Sequence, residues 1–297
     1  MSHIRLENVS KIFDAKPREI NTVLKLLEEG MSSSDVRAQT GCSVGLYDVS
    51  LTIGVGELHC IMGLSGSGKS TLVRHINRLI DPTEGKIWIN SVNHYEGDNV
   101  EYLTATADPS PKTNEQIINV LSLNDKQLQH FRQNNVSMVF QHFGLVPHMT
   151  VIQNVAYGLR VKKMPKSKRY DLARHWLNEV GLEGVDSKYP DELSGGMKQR
   201  VGLARALAVD TPIILMDEAF SALDPLIRGQ LQDQLLALQD KLNKTILFIT
   251  HDIDEAIKLG GLISILNGGR LIQTGTPQQL HDAPADDYVA RFIMTEG

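Results

Sequence analysis

The stretch Leu58-His59-Cys60-Ile61-Met62-Gly63-Leu64-Ser65-Gly66-Ser67-Gly68-Lys69-Ser70-Thr71-Leu72 decides the fold class. Its first five residues read as a buried parallel strand, because a strand covered on both faces is apolar along its length. Gly63 to Ser70 then fits G-x-x-x-x-G-K-[ST] between a predicted strand and a predicted helix. Glycines let such a backbone wrap a phosphate with successive N–H groups pointing inward. The helix that follows adds about half a positive charge at its start. Lys69 is placed to reach the β- and γ-phosphates, and the Ser70 hydroxyl to ligate Mg²⁺. The candidate cradle is Gly63, Ser65, Gly66, Ser67, Gly68, Lys69, Ser70 and Thr71. A nucleoside triphosphate is the expected ligand.

Such a site also needs a carboxylate for Mg²⁺ at the end of a neighbouring strand. Ile213-Ile214-Leu215-Met216-Asp217-Glu218 supplies one. Asp217 is expected to act as the metal partner, through water. Glu218, one residue on, is placed to polarise a water for in-line attack on the γ-phosphate. Leu193-Ser194-Gly195-Gly196-Met197 opens a helix through Ala208 and makes a second anion site, again at a helix N-terminus. One γ-phosphate does not need two cradles from one chain. Ser194, Gly195 and Gly196 of one copy are therefore expected to meet the nucleotide held by Lys69 of another.

With 297 residues, the chain has room for two ordinary domains or one large α/β domain at roughly 150 residues each. Hydrophobic residues make up 41%, which excludes a largely disordered or low-complexity chain. A net charge of −5 leaves no global basic field to draw the chain to nucleic acid or anionic lipid. Cys42 and Cys60 are the only cysteines, too few for a disulfide scaffold or a four-cysteine zinc site, and they suit a reducing cytosol. The first residues lack the apolar core of a signal peptide. No apolar run approaches the roughly 20 residues that span a bilayer. The composition points to a soluble, intracellular protein.

Around the phosphate loop, strands alternate with helical patterns, which argues a mostly parallel sheet covered on both faces. Ile4 to Val9 reads as a strand, as do Ile213–Met216 and Ile246–Ile249. Residues 17–45 interrupt this order. Ile20, Val23, Leu24 and Leu27 recur at helical spacing, with Gly30 at a C-cap position, and residues 34–41 form a second, shorter helix. Two short helices around a turn suggest a DNA-binding unit, but few basic residues are present to meet phosphates. A surface-docked insertion fits better. Residues 91–125 are polar, with Asp108-Pro109-Ser110-Pro111 among them, and read as a long surface excursion with little core. The cluster Lys162, Lys163, Lys166, Lys168 and Arg169 reads as a solvated loop and helix start.

Taken in order, these elements resemble the ATP-binding cassette ATPases, and the resemblance covers nearly all of the chain. It adds residues that spacing alone does not single out. Phe13 falls where the family stacks an aromatic on adenine. Gln141, in Val139-Phe140-Gln141, matches the glutamine that contacts Mg²⁺ and water and links the core to a helical subdomain. Asp224, in Ser221-Ala222-Leu223-Asp224, matches the loop that crosses the dimer interface. His251, in Thr250-His251-Asp252, matches the histidine that senses the γ-phosphate. The implied fold is α/β: a P-loop NTPase with a RecA-like core, an antiparallel β portion and an inserted α-helical subdomain. The implied organisation is a single domain, 1–297, with core at 1–141 and 211–297, the insertion at 17–45 and the helical subdomain at 142–210.

Finer wording is similar to the ATPases of glycine betaine, proline and choline importers. The insertion ending Thr40-Gly41-Cys42-Ser43-Val44-Gly45 is one such feature, and Met216-Asp217-Glu218-Ala219-Phe220-Ser221-Ala222-Leu223-Asp224-Pro225 is another. Val146 to Val151 falls where importer ATPases present a groove to their permease. The resemblance implies ATP and Mg²⁺ as cofactors, and a head-to-tail ATP-bound dimer with a second copy. It further implies an integral membrane permease, an indirect secreted substrate-binding protein, no nucleic acid, and a peripheral place on the cytoplasmic face of the inner membrane. The cargo implied is choline or glycine betaine. Several relatives continue into a tandem regulatory module, whereas this sequence stops at Gly297. The expectation is therefore no such module, with choline favoured over an osmoprotectant. The competing reading is a soluble cassette ATPase in DNA repair or translation, but such proteins usually carry two cassettes or a long coiled-coil insertion.

Overall fold

The computed structural model describes residues 2–91, 100–101, 116–221 and 223–294. Strand β1 (Ser2–Phe13), helices α1 (Pro17–Glu28) and α2 (Ser33–Thr40), strands β2 (Ser43–Gly54) and β3 (Leu58–Met62) and helix α3 (Lys69–Ile76) come first. Strands β4 (Glu84–Ser91) and β5 (Gln116–Asn119), helix α4 (Asp125–Asn134) and strand β6 (Val136–Val139) follow. Helices α5 (Val151–Val155), α6 (Tyr157–Val161), α7 (Lys166–Glu179) and α8 (Gly195–Ala208) lead to β7 (Ile213–Asp217), α9 (Pro225–Leu242) and β8 (Thr245–Ile249). Helix α10 (Ile253–Leu259), strands β9 (Leu262–Asn267) and β10 (Arg270–Gly275) and helices α11 (Pro277–Asp282) and α12 (Asp287–Met294) complete the chain order.

Two compact units are formed. The first comprises Met1–Val55, His59–Asp125 and Thr250–Gly297, and the second Gly56–Leu58 and Lys126–Ile249. In the first unit, β2, β1, β4 and β5 make an antiparallel sheet in that order. Inward residues of β1 and β2 alternate with outward ones, as a sheet with one wet face requires. β3 pairs in parallel with β9, which pairs antiparallel with β10. All five residues of β3 are buried, and its one polar member, His59, has Nε2 2.8 Å from Ser264 Oγ. That partner is what makes a buried imidazole tolerable.

The insertion packs as its pattern predicts. Val23, Leu27, Val36 and Cys42 are buried with Ile12 and Val44 of the adjoining strands. Burial of each such aliphatic side chain stabilises by about 1.5–3 kcal/mol. Gly30, at φ +91°, ends α1, and Gly41, at φ +77°, ends α2. Residues 92–99 and 102–115 of the expected excursion lie outside the described residues. Its far end differs from expectation. Gln116–Asn119 is a strand paired with β4, with Ile118 and Val120 fully buried, so this end belongs to the core.

In the second unit, β6, β7 and β8 are parallel, with Val136 opposite Ile213 and Leu215 opposite Leu247. Val136–Val139 is thus a strand that the sequence reading does not single out. Helices α5 to α8 lie within 151–208. One member of the basic cluster is not merely solvated: Lys162 Nζ donates to Val209 O at 2.8 Å, at the C-terminal end of α8. Burial pushes its ammonium pKa below the usual range, against the pull of Asp210.

His75, fully buried at the end of α3, yields a prediction. Its Nδ1 lies 2.6 Å from Ile80 O, and since a carbonyl only accepts, Nδ1 carries the proton. Nε2 is buried without a partner among the described residues. Burial holds the imidazole below its ordinary 6.5; the bond to Ile80 and Asp81 oppose this, and Lys11 reinforces it. The unfolded chain therefore takes up a proton that the folded chain refuses. Stability should fall as pH drops below about 6.5, by at most ~1.4 kcal/mol per pH unit from this group, and level off below the folded pKa. Asn at position 75 keeps a donor near Nδ1 without titrating. Urea midpoints compared at pH 7.5 and 5.5 should differ less in His75→Asn than in the native chain.

Candidate nucleotide site

In the first unit the chain turns out of β3 at Gly63 and enters α3 at Lys69. Between them, Ser67 N–H donates to Leu64 O at 3.1 Å, closing the loop on itself. Gly68 has φ +104°, and a Cβ there would stand 2.4 Å from Gly45 O, so no other residue fits. Lys69 is 4% exposed, and its Nζ curls back to donate to Gly63 O at 2.8 Å and Leu64 O at 3.2 Å. The loop carbonyls thereby hold the ammonium over the cradle. The Ser67 hydroxyl is buried in the loop and has no hydrogen-bond partner among the described residues. A buried hydroxyl beside a cationic head and a helix N-terminus suits a phosphate oxygen.

Phe13 ends β1 beside this loop. A Cβ on Gly45 would come 2.5 Å from the Phe13 ring and 3.3 Å from Thr71 Cγ2, so ring and helix start meet across a bare backbone. Lys11 Nζ lies 5.2 Å from the centre of the Phe13 ring. His251 is exposed and follows Thr250, whose N–H donates to Ile61 O of β3 at 3.2 Å. The first unit thus carries Phe13, residues 63–71 and His251, and it sets Phe13 and Thr71 on either side of Gly45.

The second unit holds the acids. Asp217 is the last residue of β7 and 1% exposed. Glu218 turns out of the strand with φ +45°, a conformation that costs a non-glycine residue about 1–3 kcal/mol and gathers at functional sites. Gln141 Nε2 donates to Glu218 Oε2 at 3.1 Å, so the glutamine after β6 orients the acid after β7. Ser194 is the N-cap of α8, and its Oγ accepts from Met197 N–H at 3.3 Å. Asp224 is the N-cap of α9, accepting from Ile227 N–H at 3.0 Å. Two helix starts therefore border one cavity of about 260 Å³, lined by Ser194, Gly195, Gly196, Met197, Leu223 and Asp224.

No cluster of three or more His, Cys, Asp or Glu able to hold a metal occurs among the described residues.

The "ABC transporter" family model matches residues 46–221, from the middle of β2 past the acids of β7. This chain is a member of the ABC transporter family. The glycine betaine/carnitine transport ATP-binding protein of Listeria monocytogenes is 47% identical over 293 residues, covering 99% of this chain and 66% of that protein. The glycine betaine/proline betaine transport system ATP-binding protein of Escherichia coli is 44% identical over 290 residues, covering 98% and 65%. The choline transport ATP-binding protein of Bacillus subtilis is 42% identical over 258 residues, covering 86% and 60%. The chain spans just under two thirds of the length of these relatives. Among solved structures, an ATP-binding cassette dimer in a post-hydrolysis state, bound to ADP and Pi, is similar with a TM-score of 0.70 and 30% identity. It covers 92% of this chain and 98% of that one. The fold is the α/β fold of the ABC ATPase cassette.

Two residues of this ABC cassette escape sequence reading. Gly45 and Gly269 matter because other segments approach them. Gly45 meets the phosphate loop and Phe13, and Gly269 N–H donates to Ser67 O at 3.1 Å. The signal available for the second was the turn wording Asn267-Gly268-Gly269, which marks a hairpin but not its neighbour.

Proposed function

We propose that this chain is the ATP-hydrolysing subunit of an importer for a quaternary amine such as choline or glycine betaine. The Lys69 ammonium held over a loop with a buried, unpartnered Ser67 hydroxyl supports nucleotide binding, and the observation that carries the hydrolysis is the Gln141 side chain holding the Glu218 carboxylate. Likeness over 86–99% of this chain to transport ATP-binding proteins for betaines, carnitine and choline carries the importer reading. Those relatives do not single out choline, so the cargo is proposed as the class. No relative named above acts in DNA repair or translation, and that alternative is dropped.

In this reading Gly63, Ser65, Gly66, Ser67, Gly68, Ser70 and Thr71 wrap the phosphates, with Lys69 on the β- and γ-phosphate oxygens and Phe13 against the adenine. Ser70, Asp217 and Gln141 are the residues that would hold Mg²⁺. Bound Mg²⁺ supplies charge neutralisation of the phosphate oxygens. Glu218 takes a proton from water as the water oxygen attacks the γ-phosphorus, and the bond to the β-bridging oxygen breaks to release ADP. Gln141 keeps the Glu218 carboxylate turned for this, and His251 contacts the γ-phosphate.

Ser194, Gly195, Gly196 and Asp224 serve the nucleotide of a second copy in a head-to-tail dimer. Closure of that dimer biases a membrane permease by the difference in ATP affinity between closed and open forms. The likeness to transport ATP-binding proteins supports a place on the cytoplasmic face, held there through the permease, and no described helix is long and apolar enough to cross a membrane.

Ser194→Arg tests the dimer. The substitution removes an N-cap worth about 1 kcal/mol and fills the cavity with a long cation. ATP binding by the monomer should remain, while the ATP-dependent dimer, read by size-exclusion chromatography, should disappear. Loss of nucleotide binding by the folded monomer would show that Ser194 acts within its own chain.

A further inference from the structure

Helices α1 and α2 are left unused by the nucleotide reading, yet three side-chain ties join them and neighbouring Tyr47 to the β9–β10 turn and the start of β10. Ser33 Oγ, at the start of α2, donates to Gly268 O at 2.5 Å. Arg270 Nη2 donates to Leu27 O, in the last turn of α1, at 2.6 Å. The Arg270 guanidinium also lies 4.2 Å above the ring of Tyr47, which packs on the buried core of the insertion. A cation at a helix C-terminal carbonyl and over an aromatic ring gains from both the helix dipole and cation–π attraction.

The turn in turn grips the phosphate loop. Tyr47 N–H donates to Gly269 O at 2.8 Å, and Gly269 N–H donates to Ser67 O at 3.1 Å. The Ser67 carbonyl shares its peptide plane with the Gly68 N–H, and a trans peptide sets the two in opposite directions. Fixing Ser67 O on Gly269 therefore fixes where the Gly68 N–H points, and that N–H belongs to the cradle. A chain of bonds runs from the end of α1, through Arg270, to the orientation of a phosphate-loop amide.

We propose that the α1–α2 insertion is a brace for the phosphate loop, with Arg270 the positioning residue at its joint and Ser33 a second tie. The proposal rests on the reading of residues 63–70 as a nucleotide site and adds a regulatory handle to it. Any partner that shifts the insertion alters nucleotide affinity without touching the nucleotide.

The test uses the full chain, a fluorescent ATP analogue, and a temperature well below the melting midpoint of every variant. Arg270→Ala should weaken analogue binding about tenfold and Ser33→Ala about two- to threefold, the scale of one hydrogen bond lost at a distance. Arg270→Lys, which keeps the charge but loses the stack, should fall between Arg270→Ala and the native chain. Amide exchange at residues 67–69 should quicken in step with the loss. Ile89→Val, in β4 of the other sheet, should lower the melting midpoint and leave the affinity as in the native chain.

Native affinity and native exchange in folded Arg270→Ala and Ser33→Ala would overturn the brace. Should Arg270→Ala fail to fold, Ser33→Ala and Arg270→Lys decide by the same measurements. A native chain that binds no analogue would remove the reading of the loop itself, and the brace with it.

Discussion

Lys69→Ala should reduce ATP affinity by at least about tenfold and up to about a hundredfold, while the chain stays folded. The ammonium is 4% exposed and tethered to Gly63 O and Leu64 O, so it is already in place before any ligand arrives. A charge-assisted contact from such a group contributes about 1.5–3 kcal/mol, which sets the range. The fold should tolerate the change. Lys69 opens α3, where alanine is a good helix former, and removing a buried charge removes its desolvation penalty. Titration with a fluorescent ATP analogue, alongside a melting curve, separates the two effects. Unchanged affinity in a folded Lys69→Ala chain would show that this loop does not hold the nucleotide phosphates.

The loop was legible because its requirements are local. A buried strand, glycines at fixed offsets and a lysine at a helix start all lie within fifteen consecutive residues, as do the strand and acids that end at Glu218. The insertion was legible for the same reason: Val23 and Leu27 share a helix face, and Gly30 at φ +91° stops it. What escaped depends on partners far away in sequence. Ile117 and Ile118 are a short apolar pair in a polar segment, and only the approach of β4 makes a strand of them. Val136–Val139 carries Ser137 and sits among helical patterns, so its periodicity says little until β7 lies beside it. Gly45 and Gly269 look like ordinary turn glycines. Their role comes from the approach of the phosphate loop across more than twenty residues in one case and about two hundred in the other.

Glu218→Gln separates chemistry from binding. Glutamine keeps the shape of glutamate but cannot take a proton from water, and general-base catalysis contributes about 10²–10⁴-fold, so hydrolysis should fall by that order. The local structure should persist. Gln141 Nε2 now donates to a carboxylate oxygen at 3.1 Å, and the new amide can present its own oxygen to the same donor. ATP binding should survive, since Lys69 and the loop are untouched, and the variant should accumulate as a dimer with ATP and not with ADP. Glu218→Gly makes an independent check, because φ +45° strains glutamate but not glycine. That variant should lose hydrolysis to a similar extent while melting no lower than the native chain, and the pair of results would assign the backbone strain to catalysis. Near-native turnover in Glu218→Gln would mean that another group activates the water, and His251→Ala would then be the variant to assay.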